Sequence, residues 1–414
     1  MESAPGDGGA AKRLTPEQIG RMISTKRMKV AYLLPSLQNA TGWRSHAIAF
    51  LGAIAAHVTP LLLVPAADVS EAQRIFPEWP IFPLPSTQAA AMSSLHGLRA
   101  LLATYRALSR LRLSEVDLVH SLEAYPTGLV GDWLARRLKR PHVLTGHGTY
   151  TVIWHGIYPD RLLYAGVLRR AALVCPVSQG TARLMKDYFG GALQATRVLP
   201  ILNGNDFYQR VPRSQVLERP APKVPTLITV GDVKPRKGQD VSLAAFATVK
   251  EHLPDARYLI AGRYKQNDYF RQLQQFIAQR KLSEVHFLGA LSGAALHDVY
   301  SQASALVLAA QQIDLHFEGF GLVFLEAGAY GLPVIGTRSG GVADAVQEGE
   351  TGLLVEPQDV SGLAQAMLRL LQDADLAGRL GRANRRWAET LTWERNAAAY
   401  AQAYQDLLAG AGKA

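Results

Sequence analysis

The sequence predicts an α/β protein built as two doubly wound, Rossmann-like parallel-sheet domains facing one another across a cleft. Three observations carry that expectation. At 414 residues the chain is too long for one ordinary core. From Met28 onward, short continuous apolar runs alternate with helical segments, as strands buried on both faces of a parallel sheet require. This grammar stops at 211–225, a stretch with four prolines and no apolar period, and restarts beyond it. The expected division is a disordered Gly-, Ala- and Ser-rich tail at 1–27, a first domain at 28–206 and a linker at 207–225. A second domain follows at 226–392, and a last helix at 393–414 crosses back onto the first.

Within the first domain, strands are expected at 29–34, 59–64, 116–121, 141–145, 173–177 and 197–201. Helices are expected at 43–56, 95–111, 127–138, 161–170 and 181–188. The longest apolar stretch, 47–65, is broken by His57, Thr59 and Pro60, so it reads as a helix followed by a strand and not as a membrane span. Gly42 opens the first helix. A glycine there lets backbone amides approach a phosphate, and serves an ordinary turn equally well. The 95–111 helix sets Leu95, Leu98, Leu102, Tyr105 and Leu108 on one face and Arg99, Arg106 and Arg110 elsewhere. Such a helix suits packing inside a domain or lying on a membrane surface, and packing is the preferred reading. The 141–145 strand runs into Thr145-Gly-His-Gly-Thr-Tyr150. A histidine between two glycines has little to pack on, so His147 is expected to face the cleft as a hydrogen-bonding group. His46, His155 and His316 are expected at the surface or behind the site.

In the second domain, strands are expected at 226–230, 257–261, 285–288, 305–308 and 333–336. Helices are expected at 241–251, 269–280, 294–302 and 321–330, followed by amphipathic helices at 360–371, 376–390 and 393–408. The first of these strands ends in a loop carrying Lys234, Arg236 and Lys237, with Pro235 and Gly238 fixing its shape. Cations held there would stabilise a departing diphosphate. Further on, Glu318 and Glu326 stand eight positions apart around Gly319, Phe320 and Gly321. Glycines this dense belong to a loop, and the apolar run that starts at Leu322 closes at Gly331 and Pro333. Glu318 therefore lies ahead of a helix start, and Glu326 lies just over one turn inside it. Unpaired amides at a helix start attract an anion. Carboxylates on either side would accept hydrogen bonds from sugar or ribose hydroxyls, which is the layout of a nucleotide-sugar site.

Composition narrows the partners. A net charge of +10, with clusters at 136–140 and at Arg169 and Arg170, suits nucleotide sugars, acidic phospholipids or nucleic acid, or simply a solvated surface. The basic residues are not interleaved with aromatics, which argues against a single-stranded nucleic-acid groove. The single cysteine, Cys175, excludes an intrachain disulfide and lies in the run of a buried strand. The compartment reads as reducing and cytoplasmic, with no apolar leader. The sequence contains no Gly-x-Gly-x-x-Gly after the first strand, no Walker A element, no Gly-x-Ser-x-Gly elbow and no metal-ligand spacing. Neither a metal nor another cofactor is expected.

The element from Glu318 to Glu326 does not stand alone. It continues into Gly331-Leu-Pro-Val-Ile-Gly-Thr-Arg338 and Gly349-Glu-Thr-Gly-Leu-Leu-Val355, and is preceded by Leu199-Pro-Ile-Leu-Asn-Gly-Asn-Asp206. Together these segments resemble the retaining glycosyltransferases of family 4, from about Met28 to the C-terminus. The resemblance implies the GT-B fold and a role for each matching residue. Glu326 would hold the donor's ribose hydroxyls and Glu318 its sugar ring. Gly319, Phe320, Gly321 and Leu322 would meet the diphosphate through their amides, and Lys237, with Arg236 beside it, would neutralise it. Gly42 matches the phosphate-contacting loop of the first domain, and His147 the histidine facing the sugar. Arg263 and Leu291 lie in the loops that hold the base. One position departs from the family: its arginine five residues before the lysine is here Asp232. Either Lys234 or Arg236 takes over, or Asp232 faces away. Thr41 precedes Gly42 where a second glycine is common.

By this resemblance the chain moves a hexosyl unit from a nucleoside-diphosphate sugar to the hydroxyl of a glycan, a lipid-linked acceptor or a small molecule. The implied mechanism is metal-independent front-face attack. Two other readings stay open: a sugar-nucleotide epimerase or phosphorylase of the same fold, and a catalytically silent sugar-nucleotide-binding partner of another transferase. Peripheral contact with an anionic membrane at its cytoplasmic face stays open too. The nucleobase, the sugar and the acceptor are not legible.

Overall fold

The computed structural model describes residues 27–38, 42–85, 92, 94–113, 115–217 and 222–411. Except for Arg27, the tail expected at 1–27 lies outside the described residues, as do 218–221 of the expected linker. Among the described residues the strands form two all-parallel sheets. The first holds β1 (Lys29–Leu33), β2 (Thr59–Pro65), β3 (Ile81–Leu84), β4 (Leu118–Ser121), β5 (His142–Gly146), β6 (Leu173–Pro176) and β7 (Arg197–Val198), in the order β3-β2-β1-β4-β5-β6-β7. The second holds β8 (Thr226–Val230), β9 (Arg257–Ala261), β10 (Val285–Gly289), β11 (Ala305–Leu308), β12 (Val334–Thr337) and β13 (Gly352–Val355), in the order β10-β9-β8-β11-β12-β13. Each order reverses once, between β1 and β4 and between β8 and β11. Ligands bind at such reversals, beyond the carboxyl ends of the strands.

The longer helices of the first half are α1 (Gly42–Ile54), α2 (Leu95–Arg110), α3 (Thr127–Leu138), α4 (Asp160–Arg170) and α5 (Gln179–Leu193). Those of the second are α6 (Gln239–His252), α7 (Asp268–Gln279), α8 (Gly293–Gln302), α9 (Leu322–Ala329), α10 (Val360–Gln372), α11 (Ala374–Thr390) and α12 (Trp393–Ala411). Two strands go unannounced in the sequence. β3 is a half-buried edge strand containing Pro83, a residue tolerated only where no ladder amide is needed. β13 is four residues long and opens on Gly352. The strand expected at 197–201 shortens to β7. Leu199 and Ile201 still donate to the carbonyls of Val174 and Pro176 (both 2.9 Å), but Pro176 has no amide to return the bond.

The packing of α2 differs from the preferred reading. Leu108 is buried and Tyr105 stacks on Trp133 (4.8 Å), yet Leu95, Leu98 and Leu102 are exposed. The helix seats itself on the domain through Gly97, Thr104 and Leu108. Its leucine row therefore straddles two faces, and its upper half points at solvent beside Arg99 and Arg106.

α12 packs against α1 and β1 in the first half, with Trp393, Tyr400 and Tyr404 buried beside Tyr32 and Phe50. Buried polar groups fix its register. His120 Nδ1 meets the Tyr404 hydroxyl (2.7 Å), His120 Nε2 meets Thr145 Oγ1 (2.8 Å), and that hydroxyl meets Tyr400 (3.0 Å). No described helix is long and apolar enough to cross a membrane.

Candidate active site

Loops from both sheets converge between the two halves. After β8 the chain makes a short turn, Pro235–Lys237, and leaves it through Gly238 at φ 65°. A Cβ on Gly238 would sit 1.9 Å from the Ala309 carbonyl oxygen, so only glycine fits. This turn buries Lys237 and aims it at Glu318, with Nζ 2.6 Å from Oε2. Arg236 donates to the same oxygen at 2.9 Å. Burial alone would raise the Glu318 pKa, but Lys237 and Arg236 outweigh it and hold the carboxyl below its usual range.

Glu318 is followed by the glycine turn. Gly319 lies so close to Gly148 that a Cβ on it would meet the Gly148 Cα at 2.7 Å, so this pair of glycines lets the two halves touch. Ser178 and Thr181 donate to the Gly319 carbonyl (2.6 and 3.1 Å), and Thr149 accepts from the Phe317 amide (2.9 Å). Gly321, at φ 91°, starts α9 with no side-chain cap. The amides of Leu322 and Val323 thus open the helix next to the cavity that both residues line, with its partial positive charge.

That cavity is about 300 Å³ and is lined by Lys237, Arg236, Glu318 and the turn from Gly319 to Leu322 on one side, with His147 on the other. Burial pushes the His147 pKa down to about 4, against a hydrogen bond that the ring donates to the Leu122 backbone and that favours its charged form. The ring is therefore neutral near pH 7. Its buried Nε2 has no partner among the described residues. Neutral, with its other nitrogen engaged by the backbone, the ring offers Nε2 to a hydroxyl.

The site contains groups that sequence reasoning placed elsewhere or passed over. His46, expected at the surface or behind the site, is buried and packs edge-on against His147 (4.4 Å). Trp43 and Asn203 line the same cavity, and Trp43 Nε1, His46 Nδ1 and Asn203 Oδ1 are buried without partners among the described residues. Their signals were Gly42 opening α1 and the Asn-Gly-Asn-Asp run ending at Asp206. Neither says which side chain turns inward.

The remaining expected residues fall outside that cavity. Glu326 lines a neighbouring cavity of about 240 Å³ with Arg210, His297 and Tyr330. There it accepts a 2.9 Å hydrogen bond from the Tyr300 hydroxyl, and burial raises its pKa against that bond. Asp232 turns away from Lys237. It takes a two-pronged pair from Arg263 (3.0 and 3.1 Å) and a third contact from Lys234 (3.0 Å). The Arg263 side chain is exposed, and Leu291 is half-buried against the core beneath α9. Gly42 is the first residue of α1, and residues 39–41 lie outside the described residues. Among the described residues no three His, Cys, Asp or Glu side chains gather as a metal-binding group.

Burial also lowers the pKa values of His46, His120 and His142, the last to about 4. The proton resonances of these three rings and of His147 are expected to stay fixed while the protein is titrated from about pH 7.5 to about pH 5.5. NMR of the histidine region checks this, and a His147 signal moving with a midpoint near 6.5 would contradict its burial.

Comparisons with known proteins bear on the family and the fold. The family profile described as "Glycosyltransferase Family 4" matches residues 44–207, and that described as "Glycosyl transferases group 1" matches 215–387. An uncharacterized glycosyltransferase of Methanocaldococcus jannaschii is 26% identical over 76% of this chain and 83% of its own length. A GDP-mannose-dependent alpha-(1-6)-phosphatidylinositol monomannoside mannosyltransferase of Mycolicibacterium smegmatis is 28% identical over 66% of this chain and 72% of its own. A glycogen synthase of Mycobacterium tuberculosis is 30% identical over 73% and 66%. Among solved structures, a Rickettsia africae glycosyltransferase superposes with a TM-score of 0.71 at 18% identity, covering 92% of this chain and 99% of that one. The Anabaena protein HepE in complex with UDP and glucose gives 0.69 at 20% identity, covering 92% and 100%. The two facing parallel sheets are the GT-B fold.

Proposed function

The chain belongs to glycosyltransferase family 4, and from that membership we propose that it is a retaining hexosyltransferase using a nucleoside-diphosphate sugar. The observation that carries this reading is the pairing of Lys237 and Arg236 with Glu318 beside the uncapped start of α9. A diphosphate entering the cavity brings negative charge to two fixed cations and two free amides, so charge appearing on the leaving group meets groups already in place. The bond from the anomeric carbon to the β-phosphate oxygen breaks while the acceptor oxygen attacks from the same face. The leaving phosphate takes the acceptor's proton, giving the glycoside and the nucleoside diphosphate. On this reading the protein supplies cations and positioning, no metal is needed, and His147 accepts a hydrogen bond from the sugar.

Glu326 is the ribose-binding carboxylate in this scheme, and Tyr300 positions it. Replacing Glu326 with Ala is expected to raise the donor KM about tenfold or more with a smaller change in kcat. Tyr300→Phe is expected to raise KM a few-fold (~2–5) for a donor with an intact ribose and less for its 2′- or 3′-deoxy analogue. Steady-state kinetics with both donors checks the pair. Equal KM effects on both would make Tyr300 merely structural.

The acceptor is a hydroxyl of a glycan, a lipid-linked sugar or a small molecule, and the site of action is the cytoplasm. Relatives named for a phosphatidylinositol mannoside and for glycogen support that range. Thermal unfolding with UDP-, GDP- and ADP-hexoses tests the reading. One of them at a hundred times its Kd should stabilise the protein by about 2.7 kcal/mol. No shift with any of them would set the nucleotide-sugar reading aside.

A further inference from the structure

Among the described residues, nine large hydrophobic side chains are exposed, and seven of them fall in one part of the first half: Leu95, Leu98, Leu102, Tyr150, Tyr158, Leu162 and Leu163. The three leucines sit at spacings of three and four on the outer face of α2, with relative exposures of 77%, 44% and 54%. The start of α4 adjoins them. The Asp160 carboxylate accepts from the Met92 amide (2.7 Å) and the Tyr125 hydroxyl (2.6 Å), which ties the turn before α4 to the chain leading into α2. Leu162 and Leu163 stand on the first turn of α4, with Arg161 over the Tyr158 ring at 5.9 Å. Tyr150, at the head of the same segment, lines the cavity between the halves. Exposed apolar side chains thus stand at the mouth of the cavity, on the first turn of α4 and on α2.

The charge around these side chains identifies what covers them. Arg99, Arg106 and Arg110 are exposed on the same side of α2 as the leucines, and α2 contains no acidic residue. A second copy packed symmetrically would set this arginine row against itself, and like charges across an interface are destabilising. We propose that the α2–α4 face docks on an anionic lipid bilayer, with Leu95, Leu98 and Leu102 entering the headgroup–acyl boundary. Arg99, Arg106 and Arg110 engage the phosphates around them. A 16-residue helix lies about 24 Å along such a surface, long enough for all three leucines to enter together. Each arginine near an anionic surface adds about 1 kcal/mol, reduced by salt. The mouth of the cavity, marked by Tyr150, then lies beside the bilayer, within reach of an acceptor held in it.

The proposal is independent of the donor chemistry, because vesicle binding needs no nucleotide sugar. Flotation of the full chain with vesicles of phosphatidylcholine alone, or with about a third phosphatidylglycerol, tests it. The chain is expected to float only with the anionic vesicles. The double change Leu98→Glu with Leu102→Glu should abolish flotation, and Arg99→Ser with Arg106→Ser should weaken it about tenfold or more. All these side chains are exposed, so far-UV circular dichroism and donor-induced thermal shifts should match the parent chain. A parent chain that stays at the bottom of the gradient overturns the proposal, as does a leucine variant that floats like the parent. A parent chain that is dimeric in solution while the leucine variant is monomeric assigns the face to a second copy instead.

Discussion

Lys237→Ala is expected to lower kcat by about two to three orders of magnitude while changing the donor KM far less. The reason is placement. Lys237 is buried, is aimed by a turn that only Gly238 can close, and reaches Glu318, the one carboxylate among the described residues that line its cavity. A buried cation of this kind interacts with developing negative charge without competition from water. Arg236 cannot fill its place, because its side chain stays more open to solvent. Lys234→Ala is the matched control. That lysine is exposed and pairs with Asp232, so its removal should change turnover less than about twofold. Parallel kinetics of the two variants, with circular dichroism to show that both fold, checks the contrast. Unchanged turnover in the Lys237 variant would refute its role.

Arg385→Met is expected to destabilise the protein by about 3 kcal/mol without touching the cavity. Arg385 is 5% exposed and donates to three carbonyls, those of Val211, Tyr208 and Ala329, while its Nε pairs with Glu389. It clamps the chain leaving the first half to the C-terminal end of α9 and to α11. Methionine fills part of the space but leaves three carbonyls without their charged donor. Urea denaturation of the two proteins measures the difference, and a midpoint shift worth less than about 1 kcal/mol would show that the clamp is dispensable.

The two-sheet plan was legible because continuous apolar strands and the proline-rich break are local signals. β3 and β13 escaped because Pro83 and Gly352 are residues that ordinarily end strands. In α2, spacing grouped Leu95 with Leu108 on one face, but spacing cannot say which part of that face the domain covers. Close packing at Gly97 and Thr104 decides it. In the cavity, Glu318, Lys237 and His147 could be marked from glycines and loop shape. Three features depend on partners far away in sequence, and no local pattern records them: the Arg263 pair on Asp232, the Tyr300 bond to Glu326, and His46 against His147. The Asp232 position shows this most plainly. Read in isolation it put an acid where a cation is usual, whereas in the fold Arg263 and Lys234 neutralise it away from Glu318.

The central claim is that this cleft breaks a sugar–phosphate bond with retention, using the protein's own cations. Real-time proton NMR of the anomeric region, with purified protein, an α-linked nucleoside-diphosphate hexose and excess chelator, measures it most directly. The account predicts that sugar leaves the donor in step with release of the nucleoside diphosphate and appears first as the α-anomer, on an acceptor or on water. A β-anomer appearing first, or no donor cleavage until a divalent metal is restored, would contradict it.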